Sequence, residues 1–488
     1  MHKRSDMKAL TAAMFGGLLW SAGGCGIDTG TETDATDTSD LDEVIARHGG
    51  DRDRLPNHVP VLDATGVFTT VSSHGFIDLD NEFFQDLGRN GRRCVSCHVP
   101  TVGWTITPRE LQAVFDATDG GVFEDGFGLG AVFRTVDGAN SPNADVSTLR
   151  KRRAAYSLLL NRGLIRIALP MPANAEFDLV AVDDPYHFAS AAQLSLFRRP
   201  LPTTNLKFDS TVMWDGREVV PGATVASELA TQASDATVIH AQGKPLTTAQ
   251  RGSIAQFIGE LATAQIFDRQ AGDLHDAGAR GGPDEILKQP FYIGINDNFG
   301  DSRTGAPFTP IIFNLYDKWT RAEGRAEAAR RAVARGQALF NGKPIAITGV
   351  SGINDEPAFG TPAKLIGTCG TCHDTPNGGN HSVVAPLNIG LVDEVRRTPD
   401  MPLYTLRNKA TGMIVKVTDP GRALIDGKWN HIGRFKGPML RDLAPRAPYF
   451  HNGFAADLAA VVEFYDTRFN IGFTAHEKSD LIAFLRSL

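Results

Sequence analysis

The sequence predicts an all-α chain, two helical units with long irregular loops and insertions. Three observations predict it. Apolar residues recur at three- and four-residue steps in several stretches, the mark of one buried helix face. Glycine and proline are frequent, 50 and 27 residues, and punctuate irregular connections rather than a sheet. A five-residue string, Cys-x-x-Cys-His, occurs at residues 94–98 and again at 369–373, far enough apart to give each unit one copy.

The 488 residues leave room for about three domain-sized units or two large ones with insertions. Apolar residues at 42% and charged residues at 22% describe a globular body and exclude a wholly disordered, collagen-like or multi-span membrane chain. The net charge of −7 gives no nucleic-acid surface, which needs clustered positive charge.

Residues 1–24 read as an export signal. His2, Lys3, Arg4 and Lys8 form a basic front, and small residues end the segment at 21–24. The apolar run between them is too short for a bilayer, which needs about 20 residues. Cys25 then resembles the lipid acceptor of bacterial lipoproteins, with Ala22 where those proteins usually carry Leu; the alternative is an ordinary cysteine in a discarded signal. This predicts a periplasmic or outer-membrane lipoprotein that touches the membrane only through a lipid at Cys25. Residues 25–57 begin with Gly, Thr, Asp and Ser and read as a disordered acidic tether, because they bury too little apolar surface to order.

Helices follow in order. Pro108 opens one at 108–115, since proline suits the first helical position. A second is predicted over 147–160 and a third over 248–265, where Ile254, Phe257, Ile258 and Leu261 share a face. Residues 281–319, rich in Gly, Pro, Asn and Asp, read as a linker or surface insertion. A fresh amphipathic helix is expected over 321–340, and the last over 476–488, with Leu481, Ile482, Phe484, Leu485 and Leu488 in register.

The strings Cys94-Val95-Ser96-Cys97-His98 and Cys369-Gly370-Thr371-Cys372-His373 have the form that attaches c-type haem. Two thiols on one turn can each form a thioether with a haem vinyl group, while the next residue offers imidazole to the iron. With 5 Cys and 13 His in the chain, chance would supply on the order of 0.001 such strings. A disulfide would strain the short loop and leave the His unexplained, zinc would need both pairs together, and a thioredoxin-like motif would need a βαβ context. Two covalently bound haem c groups are the reading.

Several further strings, together with these two, resemble the bacterial di-haem cytochrome c peroxidases and their relatives of the MauG type: Trp214-Asp215-Gly216-Arg217, residues 435–441, Ala447-Pro448-Tyr449-Phe450-His451-Asn452-Gly453, and residues 461–465. The resemblance covers most of 70–488, with 118–196 and 281–319 as extra segments. It implies two cytochrome c-like haem domains, a peroxidatic one at 58–280 and an electron-transfer one at 331–488, joined by a linker at 281–330. It also implies an exported peroxidase-like oxidoreductase. Hydrogen peroxide would be reduced at the N-terminal haem, with electrons relayed by the C-terminal haem from a small donor protein or another reductant. The alternatives are a MauG-type oxidase acting on a large or separate substrate, and a non-catalytic di-haem electron carrier.

The resemblance also assigns residues. Gln232 matches the first of two distal positions; ten residues on stands Gln242 where the family has a Glu, so His240, two before it, becomes the candidate proton shuttle, the alternatives being an iron ligand or a surface histidine. The iron ligands would be His98, His373 and, fourteen residues after His451, Tyr465, which matches the MauG type; the rivals are Met401, Met413 and Met439, and a core tyrosine is the plain alternative. Trp214 stands where the family places a tryptophan between the haems. Arg217, Arg441 and Arg446 are candidates for haem propionates. His451 reads as structural or propionate-bonded, and His381 has no assigned role. Calcium between the domains is a further family feature for which no ligand set can be named.

Overall fold

The computed structural model describes residues 53–121, 129–135, 140–324 and 327–488. The signal at 1–24, Cys25 and nearly all of the tether at 25–57 lie outside the described residues. No helix among those described is long and apolar enough to cross a membrane.

The all-α expectation fails. Helix makes up 33% and strand 17% of the described residues, and the strands form five small sheets among them, so the architecture is mixed α and β. The largest sheet has four antiparallel strands in the order Val61–Leu62, Gly66–Ser72, Leu261–Asp268, Gly272–Asp273. Its third strand corrects a helix prediction: the helix Thr248–Glu260 stops at its end and the chain continues as strand. Leu261 to Gln265 are buried in succession. A strand covered on both faces shows no alternation, so it reads as a continuation of the apolar helix face.

A second sheet joins distant parts of the chain. Leu403–Asn408 pairs on one side with Ile414–Val417 and on the other with Phe177–Asp183, so the expected extra segment 118–196 supplies a strand to the C-terminal half. The buried Tyr404 hydroxyl accepts the Ser195 N–H at 2.8 Å and donates to the Ser195 carbonyl at 2.7 Å. This fixes the strand Leu194–Arg198, which pairs with Ile165–Leu169, and that pair delivers Ile165, Ile167, Arg198 and Arg199 to the site described below.

The remaining helices fall close to expectation. Pro108–Thr118 and Ala475–Arg486 form as predicted. The stretch 147–160 splits into Leu149–Ala155 and Ser157–Arg162, and the helix expected over 321–340 begins later, as Ala328–Gly342. It crosses Ala475–Arg486 at Gly336, where an added Cβ would lie 2.0 Å from the Asp480 carbonyl oxygen. Only glycine permits that approach. Phe313, Tyr316, Trp319, Phe340 and Phe484 pack around the crossing as the C-terminal core, while Phe83, Phe84, Trp104 and Phe257 interlock edge to face in the N-terminal one.

Candidate haem cavities

Each Cys-x-x-Cys-His string forms a single tight turn. In the first, Cys94–Ser96 is a 3-10 turn; the Arg93 N–H donates to Ser96 Oγ at 2.9 Å and the His98 N–H to the Cys94 carbonyl at 3.1 Å. The second repeats it: Cys369–Thr371 is a 3-10 turn, the Thr368 N–H donates to Thr371 Oγ1 at 3.0 Å and the His373 N–H to the Cys369 carbonyl at 3.1 Å. All four thiols are free. Burial pushes Cys94, Cys369 and Cys372 up to about 12 and Cys97 to about 11, with Arg92 opposing the rise at Cys97. They are neutral thiols, unsuited to free thiolate chemistry.

Each string opens onto its own cavity. The N-terminal one encloses about 1420 Å³ of empty space, its open mouth included, and the C-terminal one about 1450 Å³ on the same measure. Their linings, mostly apolar, suit a large flat apolar group. Cys94, Cys97 and His98 line the first; Cys369, Cys372 and His373 line the second.

The histidine rings are held through one nitrogen. His98 Nδ1 lies 3.3 Å from the Trp104 carbonyl oxygen and His373 Nδ1 lies 2.8 Å from that of Gly379. A backbone acceptor at Nδ1 sets the tautomer and leaves the Nε2 lone pair available to a metal. The four-stranded sheet fixes the first of these, because Trp104 Nε1 donates to Thr70 Oγ1 at 2.9 Å and Thr70 meets Thr263 across the sheet at 2.9 Å. Burial lowers both histidines to about 4, so each offers a neutral imidazole. Paired thiols, an oriented imidazole and an apolar cavity fit haem c at both places.

The helix Val225–Ile239, capped by Thr224, brings Gln232, Ala236 and His240 to the N-terminal cavity. Four-residue steps put these three on one face. His240 ends the helix; its carbonyl accepts Asn90 Nδ2 at 2.8 Å and Arg92 Nη1 at 3.2 Å. The next residue is pinned as well, since the Arg89 N–H donates to the Ala241 carbonyl at 2.9 Å and a Cβ on Gly88 would lie 2.0 Å from that oxygen. Burial first, then the charges of Arg92 and Arg217, lowers His240 to about 3. Gln242, in the family's carboxylate register, has a positive φ of 54° and does not line the cavity.

Tyr465, on the helix Leu458–Phe469, lines the C-terminal cavity with His373. None of the rival methionines does: Met401 packs with Leu158, Leu164 and Phe197, Met413 is exposed, and Met439 lines a groove between the cavities. His451 also lines the C-terminal cavity, with both ring nitrogens lacking a hydrogen-bond partner. Trp214 lines both cavities, its Nε1 donating to the Arg199 carbonyl at 2.8 Å.

Against known proteins, no family model matches the chain. A cytochrome-c peroxidase of Denitromonas iodatirespirans, IdrP2, is 32% identical over 136 residues, 25% of this chain and 36% of its own. IdrP1 of Pseudomonas sp. (strain SCT), also a cytochrome-c peroxidase, is 28% identical over 187 residues, 34% of this chain and 42% of its own. The chain thus spans about two fifths of the length of these curated relatives. Over the matched residues it is similar to cytochrome-c peroxidases. A solved MauG-like protein associated with microbial copper homeostasis aligns with 62% of this chain and 75% of its own at 18% identity, with a TM-score of 0.30.

The motif Trp214-Asp215-Gly216-Arg217 is a clamp. Asp215, fully buried, takes Arg198 Nη1 at 2.5 Å and Arg217 Nη1 at 3.2 Å, while Arg198 Nε reaches Asp419 at 2.7 Å. Arg217 lines the N-terminal cavity, Arg446 the groove between the two, and Arg441 neither cavity; its guanidinium is buried against the carbonyls of Asn377 and Gly282. Sequence reasoning missed Lys436, which lines both cavities and is buried against Asp209 at 2.8 Å. It also missed Arg92, although a basic pair directly before Cys94 is a readable signal.

Proposed function

We propose that the chain is an exported di-haem c-type cytochrome with peroxidase-like oxidoreductase activity, its units at 58–280 and 331–488 each carrying one haem. The observation that carries this reading is that His98, Gln232 and His240 line one cavity. When bound, haem supplies the iron at which peroxide is reduced and the electrons that reduce it.

The chain's own residues position and move protons. Trp104 holds His98 in one tautomer through its carbonyl. His240, neutral at physiological pH, takes a proton from hydrogen peroxide and returns it to the departing oxygen, and Gln232 on the same helix face orients the peroxide by hydrogen bonding. Apolar walls from Ile165, Ile167, Leu229 and Ile258 restrict water. Trp214, shared by both cavities, carries oxidising equivalents between them, and a donor protein or another reductant supplies electrons at the C-terminal side.

Tyr465 favours a second reading. It is the phenol in the C-terminal cavity where the rival methionines are absent, and a phenolate supports higher iron oxidation states better than a thioether. A MauG-type oxidase acting on a large or separate substrate fits that ligand. Export is supported by the basic and apolar pattern of residues 1–24, and Cys25 would take the lipid anchor.

The test is an EPR spectrum of the ferric haem-loaded protein with a peroxide assay beside it. A high-spin signal and peroxide turnover support the proposal. Two low-spin haems without turnover would make the chain an electron carrier, with His240 bound to iron.

A further inference from the structure

Three buried side chains lie outside both haem cavities. Asp297, Asp374 and His381 each bring one ligand atom within 4.8 Å of the others, and they are 5%, 0% and 6% exposed. Asp374 Oδ1 accepts the Ser382 N–H at 2.6 Å, and Asp374 Oδ2 has Asn298 Nδ2 at 3.4 Å. Asp297 Oδ1 accepts the Phe299 N–H at 2.9 Å, whereas its Oδ2 is buried with no hydrogen-bond partner. His381 Nδ1 accepts the Val383 N–H at 3.2 Å and lies 3.7 Å from Asp374 Oδ2. Among the described residues, neither carboxylate pairs with a Lys or Arg.

Two buried carboxylates this close repel each other, and an orphaned oxygen pays its desolvation with nothing in return. A cation answers both costs. We propose that Asp297, Asp374 and His381 bind one divalent transition-metal ion of the Zn²⁺ or Mn²⁺ kind. Imidazole with carboxylates is a donor set for first-row ions; Ca²⁺ and Mg²⁺ take oxygen ligands alone. The position gives the ion a job. Asp374 directly follows His373, and Asp297 comes from the segment 281–319, whose Asn296 and Asn298 donate to the Asp374 carbonyl at 3.1 Å and the Thr371 carbonyl at 2.9 Å. The ion clamps that segment onto the turn that carries the second Cys-x-x-Cys-His string.

The test uses the haem-loaded chain, stripped with EDTA, desalted, and exposed to Zn²⁺, Mn²⁺ or Ca²⁺, one ion at a time. Metal retained after gel filtration is counted by mass spectrometry against haem iron. One equivalent of Zn²⁺ or of Mn²⁺ is expected, falling at least about tenfold in Asp297→Asn and in His381→Gln. X-ray absorption at the edge of the ion bound to the unmodified chain should show imidazole back-scattering, which decides the matter even if the variants fail to fold. Retention of neither Zn²⁺ nor Mn²⁺, retention unchanged in both variants, uptake of Ca²⁺ alone, or an all-oxygen shell overturns the proposal.

Discussion

The rings of Trp214 and His451 meet edge to face, with centroids 6.1 Å apart and planes at 65°. His451 in turn stacks on Phe435 at 3.9 Å. Since Trp214 lines both cavities and the other two rings line the C-terminal one, an aromatic path leads from one cavity into the other. The hydrogen bond from Trp214 Nε1 to Arg199 fixes where it starts.

That path predicts the behaviour of Trp214→Phe. Phenylalanine keeps most of the packing but is far harder to oxidise and cannot donate to Arg199. Electron transfer between the haems, followed by stopped-flow absorbance after peroxide is added, should slow by at least about tenfold, equivalent to roughly 1.4 kcal/mol on the barrier. The initial reaction with peroxide should keep its rate. An unchanged transfer rate removes Trp214 from the route.

His240→Ala should cut peroxide turnover by about 100-fold or more, the usual range for a lost acid–base group. The spectrum separates the two roles of His240. If it shuttles protons, the ferric N-terminal haem is high-spin before and after the change. If it binds iron, the haem turns from low-spin to high-spin.

Tyr465→Phe should alter the absorption spectrum of one haem only and raise that haem's potential, because a charged oxygen donor is lost. Spectroelectrochemistry reads both. Two unchanged potentials would leave Tyr465 as a packing residue beside Phe450 and Phe469.

The two Cys-x-x-Cys-His turns were readable because they are local, two thiols and an imidazole on one turn. The helix Ala475–Arg486 was readable for the same reason, since its core face repeats within the segment. The sheets were not. Phe177–Asp183 finds its partner Leu403–Asn408 across more than two hundred residues, and nothing near either strand announces the other. Leu261–Asp268 imitates the helix it follows. His381 had no assignable role because Asp297 and Asp374 meet it only in the folded chain.

Glycine substitutions test the helix crossing. At Gly336 an added methyl would collide with the Asp480 carbonyl at 2.0 Å, and forced overpacking costs about 1–3 kcal/mol. Gly252 lies within Thr248–Glu260 with nothing within 4 Å of its Cβ position, so Gly252→Ala should stabilise by about 0.5–1 kcal/mol. Thermal melts should therefore move in opposite directions, down for Gly336→Ala and up for Gly252→Ala. A harmless Gly336→Ala would mean the two helices can separate at no cost.

His451 predicts a pH dependence of stability. Burial, with Arg198 adding to it and Asp419 opposing, lowers its pKa from 6.5 to about 3. Between those values the unfolded chain binds a proton at this position and the folded chain does not. Stability therefore rises with pH through this window and is lost as pH falls below about 6.5. At about 1.4 kcal/mol per pH unit, His451 should remove roughly 2–3 kcal/mol between pH 7 and pH 4.5. Carboxylates titrate over the same range, so the comparison must be with His451→Gln, which keeps them all. The variant should start less stable at pH 7, where it loses the stack on Phe435, and the gap to the unmodified chain should close by that amount at pH 4.5 in denaturant unfolding. A gap that stays constant with pH would mean the His451 imidazole gains a proton-sharing partner once the cavity is filled.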